Sequence, residues 1–318
     1  MKFLLIGHPC VDEIHTSGGE IIKSWGGIYY TLAAMEHAAR LEDTIVPIFP
    51  IGKDEEAAFR ARLAPYKHLD LSALQVVDAP TNKMQLFYKD GSESGQRDEH
   101  CACVLPPIEY DAIRIHMRDS HFVFINMVSG FEITLDTLRK IRSAGRRPHV
   151  FIYLDVHAMV LGDLVPNGPR KFKQIKEWEN WVMNVDGIQM NENEVKYFSR
   201  SEKSLVDFAA TFHNIQVIVI TRGEKGTSLY IRDAIKGVEI NEIFSRLDIP
   251  PVTLGQPRDS TGCGDVFGGA FIMHYAWTRH AVLAAQFASY VAAAKSMLPG
   301  SEDIDKLRDY ITQYPIFQ

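Results

Sequence analysis

Short apolar runs alternate with amphipathic segments along most of this 318-residue chain. The runs at 44–49, 121–126, 150–156 and 215–221 are rich in β-branched and aromatic residues, which is typical of buried strands. Helical periodicity predicts helices at 28–41, 55–63, 135–144, 204–213, 266–275 and 282–297. This alternation of strands and helices predicts a doubly wound α/β fold.

Composition narrows the class of protein. Apolar residues make up 46% and charged residues 23%, as in ordinary globular proteins, and the formal charge of −6 argues against a general nucleic-acid binder. No apolar run reaches the roughly 20 residues of a membrane span, and the first one, 3–6, is too short for a signal-peptide core. We therefore expect a cytoplasmic protein that binds neither nucleic acid nor membrane.

The cysteines indicate neither a disulfide framework nor a metal centre. There are 4 of them in the whole chain, spread from Cys10 to Cys263. Cys101 and Cys103 follow His100, but a second pair of ligands at useful spacing is missing, and the alternation fits one face of a strand.

Residues 259–265 read Asp-Ser-Thr-Gly-Cys-Gly-Asp and run directly into an apolar stretch that contains two more glycines. Gly262 and Gly264 suit a tight turn before a buried helix. A helix start of this kind directs free N–H groups and the positive end of the helix dipole at one point, where an anion can bind. Asp265 lies beside that point, so the segment offers a phosphate cradle and a base, the two needs of phosphoryl transfer.

This segment resembles the C-terminal signature of the ribokinase-like carbohydrate kinases, the phosphofructokinase-B (PfkB) family, and three further stretches match in the expected order. The resemblance implies one kinase domain over residues 1–318, built as a three-layer α/β/α sandwich with a small β-sheet lid. It also implies that Asp265 is the catalytic base and that the amides of Gly262, Cys263 and Gly264 form an anion hole. Thr261, in the same turn, is expected to contact the nucleotide.

Two segments, at about 12–25 and 82–105, interrupt the alternation of strands and helices and are expected to form the lid. Residues 83–89 and 101–105 alternate with period 2 around a turn-rich loop that begins at Asp90-Gly91, and the first segment carries Gly18-Gly19. In the family such a lid often pairs with another subunit, so a homodimer through the lid is expected.

The acceptor is expected to bind near the N-terminus. No glycine cluster follows Gly7, which argues against a dinucleotide-binding dehydrogenase. Asp12 is predicted to follow a strand end and to accept hydrogen bonds from substrate hydroxyls. The resemblance places Gly26-Gly27 under the substrate and Thr31 where the family has an asparagine. That departure weakens an assignment to ribose or fructose. The neighbouring Tyr29 and Tyr30 leave room for a stacked base or another ring, although core packing is the favoured prediction for both.

The remaining motifs point to the nucleotide. Asn191 and Glu194 resemble the family's Asn-x-x-Glu motif, which organises Mg²⁺ and the phosphates, and their spacing also suits a capping box. Thr221, Gly223 and Gly226 resemble its nucleotide-side turn. The Asp-x-Asn-x-Arg stretch of many sugar kinases is replaced by Asp155-Val156-His157, without an arginine nearby, and His157 is predicted to be structural.

Together these features predict an ATP-dependent kinase that phosphorylates a hydroxyl of a sugar or related small polyol. ATP and Mg²⁺ are the expected cofactors, and a monovalent cation such as K⁺ is a further possibility. Two alternatives stay open: a nucleoside kinase of the same family, and a regulatory protein that binds a nucleotide or sugar without turnover.

Overall fold

A computed structural model of the chain describes residues 1–15, 21–88, 97–145, 150–164, 169–232 and 243–315. Its thirteen described strands are β1 (Lys2–Ile6), β2 (Pro9–His15), β3 (Ile21–Gly27), β4 (Thr44–Gly52), β5 (Leu74–Val77), β6 (Asn82–Tyr88), β7 (Arg97–Cys103), β8 (Phe122–Asn126), β9 (Phe151–Asp155), β10 (Gly187–Asn191), β11 (Val217–Thr221), β12 (Thr227–Arg232) and β13 (Phe244–Ile249).

Nine of these strands form one sheet in the order β13-β12-β11-β10-β9-β8-β1-β4-β5. From β11 to β5 every neighbouring pair is parallel, and β12 and β13 add an antiparallel edge. The central strands β8 and β9 are buried along their whole length, which is why they appear in the sequence as continuous apolar runs.

Ten helices connect and cover the sheet in the described part of the chain: α1 (Ile28–Ala38), α2 (Glu56–Leu63), α3 (Tyr110–Arg114), α4 (Leu135–Ala144), α5 (Trp178–Val182), α6 (Glu194–Phe198), α7 (Glu202–Ala210), α8 (Cys263–Thr278), α9 (Ala281–Ser296) and α10 (Leu307–Gln313).

Two separate hydrophobic clusters show that the helices lie on both faces of the sheet. One cluster joins alternate residues of β1, such as Phe3 and Leu5, to α1, α8, α9 and α10. The other joins the intervening residues Leu4 and Ile6 to α4, α5 and α7. The predicted three-layer α/β/α sandwich is therefore confirmed.

The other four strands form a small second sheet in the order β3-β2-β6-β7, as expected for a lid. β2 is antiparallel to β3 and parallel to β6, and β6 is antiparallel to β7 with a register shift between Lys83 and Met84. The predicted lid segments 12–25 and 82–105 supply these strands, although β2 begins earlier, at Pro9. Gly18-Gly19 and Asp90-Gly91 lie outside the described residues.

Local differences from the sequence predictions have local causes. Asp12 lies inside β2, paired with Ser24 and Met84, and not just past a strand end. α1 ends at Ala38 because Ala39 is extended, and α7 begins at Glu202 because the Ser201 side chain caps it. Within the described ranges, no helix has both the length and the apolar character that a membrane span requires.

Candidate active site

A cavity of about 390 Å³ opens where the carboxyl ends of the central parallel strands approach the small sheet. Nine of the residues predicted for the site line it: Asp12, Gly27, Asn191, Glu194, Thr221, Thr261, Gly262, Gly264 and Asp265. The cavity walls do not include the other five, Gly26, Thr31, Cys263, Gly223 and Gly226. In open α/β sheets ligands bind beyond the carboxyl ends of the strands, so this position alone is typical of a functional site.

Asp265 lies in the first turn of α8 and is buried, with 4% of its surface exposed. The side-chain amide of Asn126, at the end of β8, donates to Asp265 Oδ1 at 2.9 Å and to Thr31 Oγ1 at 2.7 Å. Burial raises the pKa of the Asp265 carboxyl, while His157 and the Asn126 amide oppose that rise. The aspartate is thus held by hydrogen bonding in a buried setting that favours proton uptake, as a general base requires.

Thr31 supports Asp265 from below and does not line the cavity. Its side chain is fully buried, and its hydroxyl donates to the backbone carbonyl of Asp265 at 3.5 Å. The structure therefore places Thr31 against the start of α8, while its predicted contact with the substrate remains a prediction.

The turn before α8 depends on Gly262. This residue has φ 74°, in the left-handed region, and a Cβ there would overlap the ring of Tyr30. Tyr30, like Tyr29, is buried, which agrees with the predicted packing role. Only glycine satisfies both the backbone angle and the close approach of the ring.

The three amides predicted to form the anion hole differ in their surroundings. The N–H of Cys263 donates to the carbonyl of Ser260 at 3.2 Å and so closes the turn. Gly262 and Gly264 line the cavity, and a Cβ on Gly264 would meet nothing within 4 Å. Burial raises the pKa of the Cys263 thiol to about 11, so the thiol stays neutral near pH 7.

Two buried carboxyl groups, Asp155 and Asp265, and the half-buried Glu194 interact electrostatically with His157. Burial raises the pKa of Asp155 well above its ordinary value and also raises that of Glu194. Burial alone would lower the pKa of His157, but the three carboxylates, together with Glu132, raise it to about 9. His157 and these carboxyl groups therefore each favour the charged form of the other.

His157, which the sequence predicted to be structural, lines this cavity. Its backbone has φ 37°, uncommon for a residue with a side chain, and its buried Nδ1 has no hydrogen-bond partner in the described part of the chain. A strained residue with an unpartnered polar atom points to a role at the site.

Asn191 and Glu194 form a reciprocal hydrogen-bonded pair after β10. Asn191 Oδ1 accepts from the N–H of Glu194 at 2.9 Å, and Glu194 Oε2 accepts from the N–H of Asn191 at 2.7 Å. The Asn191 side-chain amide donates to Glu194 Oε1 at 2.6 Å. Because both carboxylate oxygens already accept a hydrogen bond, this pair suits a hydrated Mg²⁺ that keeps most of its waters.

The donor chemistry fits that ion. Hard oxygen ligands such as the Glu194 carboxylate and the Asn191 carbonyl oxygen are what Mg²⁺ prefers. Among the described residues, no group of three His, Cys, Asp or Glu side chains could hold a metal by itself. Any Mg²⁺ here would accordingly share its coordination with water and phosphate.

Two polar residues that support the site were not predicted. Gln189, in β10, donates from Nε2 to Asp155 Oδ2 at 3.1 Å and to the carbonyl of Gly264 at 3.0 Å. It acts in parallel with Asn126, since each connects a central strand to the start of α8. Gln189 interrupts the apolar run of β10 and Asn126 ends that of β8, and these polar residues were the signal in the sequence.

The glycine pair at the end of β3 lies beside Asp12 and His8, where the acceptor is predicted to bind. A Cβ on Gly26 would overlap the Asp12 carboxylate, so Gly26 makes room for that side chain. Gly27 has φ 62°, and a Cβ there would lie 2.5 Å from the carbonyl oxygen of His8. Polar and apolar lid residues share this end of the cavity, among them Asp12, Asn82, Met84, Leu86 and Cys101.

Thr221, at the end of β11, opens the turn predicted for the nucleotide. Gly223 and Gly226 lie in that turn, before β12, with φ 55° and 86°. A Cβ on Gly226 would overlap the carbonyl oxygen of Ile249, whereas one on Gly223 would meet nothing within 4 Å. Gly226 therefore has a structural reason to be glycine, and Gly223 leaves an open surface.

Comparison with known proteins agrees with this geometry. Residues 158–303 match the family described as pfkB family carbohydrate kinase. A cytidine kinase of Thermococcus kodakarensis is 23% identical over 290 residues, which cover 86% of this chain and 88% of that protein.

Solved structures share the fold over nearly the whole chain. The ribokinase of Giardia lamblia superposes with a TM-score of 0.75 at 16% identity, covering 98% of this chain and 97% of that one. The Arabidopsis thaliana ribokinase complexed with ribose and ATP superposes with a TM-score of 0.69 at 16% identity, covering 98% of each chain. The match over residues 158–303 and this shared fold together confirm the predicted resemblance to the ribokinase-like family.

Proposed function

We propose that this chain, which has the ribokinase-like fold and matches the pfkB family over residues 158–303, is an ATP-dependent kinase acting on a hydroxyl of a sugar or related small polyol. The observation that carries the proposal is the placement of Asp265 at the cavity wall, beside the glycine turn of α8. A base and an anion site next to each other are what phosphoryl transfer to an alcohol requires.

The proton of the acceptor hydroxyl passes to Asp265 as attack begins. Asn126 occupies Oδ1 of the carboxylate, so Oδ2 is the oxygen that would accept this proton. Because burial raises the pKa of this carboxyl, the proton is accepted more readily than by an exposed aspartate.

The transferring phosphoryl group would lie against the cavity-lining turn, where Gly262 and Gly264 can donate backbone N–H groups with the positive end of the α8 dipole behind them. Asn191 and Glu194 would hold Mg²⁺, largely through water, and this ion would neutralise charge on the phosphates. Thr221, Gly223, Gly226 and Thr261 would contact the rest of the nucleotide.

The acceptor would bind between the two sheets, with Asp12 accepting hydrogen bonds from its hydroxyls. Gly26 leaves the space that the Asp12 side chain occupies, and Gly27 forms part of the cavity wall. Asp12 lies in the middle of a paired strand, so the lid that carries it would bring it to the acceptor as one unit.

A nucleoside is the second candidate acceptor, and two observations favour it. Met84, Leu86, Val104 and Leu161 give the acceptor end of the cavity an apolar surface that suits a base better than a free sugar. The relative from Thermococcus kodakarensis is a cytidine kinase. Asp12 would accept hydrogen bonds from the hydroxyls of a free sugar or from those of the ribose in a nucleoside.

The lid would also pair with a second copy of the chain. β3 is an edge strand of the small sheet, and Ile21 and Ile22 on it are 53% and 44% exposed. Unpaired edges with apolar side chains favour association. Light scattering on wild type and on Ile22→Lys tests this: a dimer converted to a monomer supports the pairing, and a monomeric wild type excludes it.

Phosphate transfer to a panel of acceptors tests the function. ADP release from ATP and Mg²⁺ would be followed with free pentoses, hexoses and nucleosides, using Asp265→Asn as the matched control. Release that depends on one class of acceptor and disappears in Asp265→Asn supports the kinase and identifies its substrate class. ATP binding without turnover on any acceptor would favour the regulatory alternative.

A further inference from the structure

Lys295, in the last turn of α9, is a fully buried lysine outside the residues assigned above. Its ammonium lies 3.4 Å from Asp259 Oδ2 and donates to the carbonyl of Leu298 at 3.1 Å. Burying an ammonium is costly unless a charge and hydrogen bonds compensate it. The Asp259 carboxylate is the negative charge that compensates the buried Lys295 ammonium.

Asp259 begins the turn that leads into α8. Its Oδ1 accepts from the N–H of Thr261 at 2.9 Å, and its Oδ2 accepts from the N–H of Gly300 at 3.0 Å. Its own N–H donates to the carbonyl of Ser296 at 3.1 Å. One carboxylate thus connects the turn to the chain that follows α9.

Charge keeps this carboxylate ionised. Burial alone would raise the pKa of Asp259, but Lys295 and the N–H groups of Thr261 and Gly300 together lower it below its ordinary value. An ionised carboxylate accepts the stronger hydrogen bonds, so the turn is held more firmly than by a neutral acid.

Lys295 also interacts with the Tyr30 ring, which packs against the turn. Its Nζ lies 5.3 Å from the centre of the Tyr30 ring, and that ring packs directly against Gly262. The ammonium therefore touches both the carboxylate at the start of the turn and the ring under its glycine.

We propose that Lys295 is a positioning residue whose ammonium acts as a built-in monovalent cation, holding the 259–262 turn in its phosphate-binding shape. The inference rests on the proposed kinase function. Because the cation is covalently attached, the reaction requires no added K⁺. Lys295 does not touch the reacting atoms; it acts through Asp259 and Tyr30.

The test compares Lys295→Ala, which leaves a space beside Asp259, with Lys295→Met, which fills that space without a charge. Both are expected to lose about 10²-fold in kcat/KM for ATP, because a displaced turn misplaces the phosphate. Added K⁺ or ammonium is expected to restore activity in Lys295→Ala alone. Lys295→Arg keeps the charge and is expected to keep more activity than Lys295→Met.

Arg142→Met is the control for general destabilisation. Arg142 forms a buried ion pair with Asp186 at 2.7 Å, and neither residue lines the cavity. Its removal is expected to lower thermal stability without creating any response to K⁺. Activation of the wild type by K⁺, or equal rescue of the Ala and Met variants, would overturn the proposal.

Pyrophosphate binding, measured by calorimetry, separates this inference from the kinase function. If no acceptor is phosphorylated, the proposed function fails, yet the wild type is still expected to bind pyrophosphate more tightly than Lys295→Met. Equal pyrophosphate binding by the wild type and Lys295→Met would overturn the role of Lys295, whatever the protein phosphorylates.

Discussion

The two sheets that border the cavity hold their polar groups in different ways. On the large sheet, Asp265 is buried and hydrogen bonded to Asn126, a residue that is itself fully buried in a central strand. On the small sheet, Asp12 is also buried, but it lies on strands with many partly exposed positions, such as Cys10 and Met84. The first environment tolerates little displacement, and the second can change residues at lower cost.

This difference suggests that the two sheets have separate functions. Groups that react must stay within a fraction of an ångström of their position, so they are built on the packed core. The groups proposed to select the acceptor lie on the small sheet, where substitution would alter the cavity without disturbing the central strands. Chemistry would then belong to the large sheet and acceptor choice to the lid.

The Asp265→Asn variant is the most direct test of this separation of functions between the two sheets. It removes the base but keeps the shape, so kcat is expected to fall by about 10²–10⁴-fold while ATP still binds. Steady-state kinetics and calorimetric titration with ATP measure the two effects. Retention of activity within about tenfold of wild type would remove Asp265 from the role of base.

Replacing Asp12 with Ala should affect the acceptor alone. Lost hydrogen bonds to its hydroxyls are expected to lower kcat/KM for the acceptor by about 10–100-fold, with the KM for ATP unchanged. Asp78→Ala, at a carboxylate that is 93% exposed, serves as the control. Equal increases in the KM of ATP and acceptor would break the assignment of acceptor choice to the lid.

A pair of glycine variants tests the rigidity of the turn. Gly262→Ala is expected to lower the free energy of unfolding by about 1–3 kcal/mol, because the residue has a positive φ and contacts Tyr30. Gly264→Ala lies in the helix with open space around it, and is expected to raise that free energy by about 0.5–1 kcal/mol. Urea unfolding distinguishes them, and the reverse order of stabilities would contradict the geometry.

A pH dependence of stability is expected from His157. Its pKa rises on folding from 6.5 to about 9, so the folded protein keeps a proton that the unfolded chain releases between those values. The free energy of unfolding should therefore fall as pH rises through this window. Thermal unfolding of wild type and His157→Gln should show the dependence weakened in the variant, and His213→Gln, at an exposed histidine, controls for the substitution. A wild type whose pH dependence matches that of His157→Gln would exclude this linkage.

Much of the site can be predicted from the sequence, because its geometry depends on residues that are neighbours in the chain. The turn at 259–265 needs glycine because of its own backbone angle, and Asn191 caps a helix start only three residues away. The apolar strands and the polar residues just beyond them indicate the sheet and its functional edge in the same way. Such features depend on local backbone geometry, which few residues determine.

The hydrogen-bonding and ion-pair partners of these residues could not be predicted from the sequence in the same way. Asn126 lies 139 positions from Asp265, and Lys295 lies 36 positions from Asp259. Nothing in the local pattern around Asn126 indicates which helix start its amide meets, because that depends on strand order and register. The chain thus specifies the reacting groups through short-range geometry, while long-range packing selects which side chains hold them, since contacts between distant segments exist only once the sheet has formed.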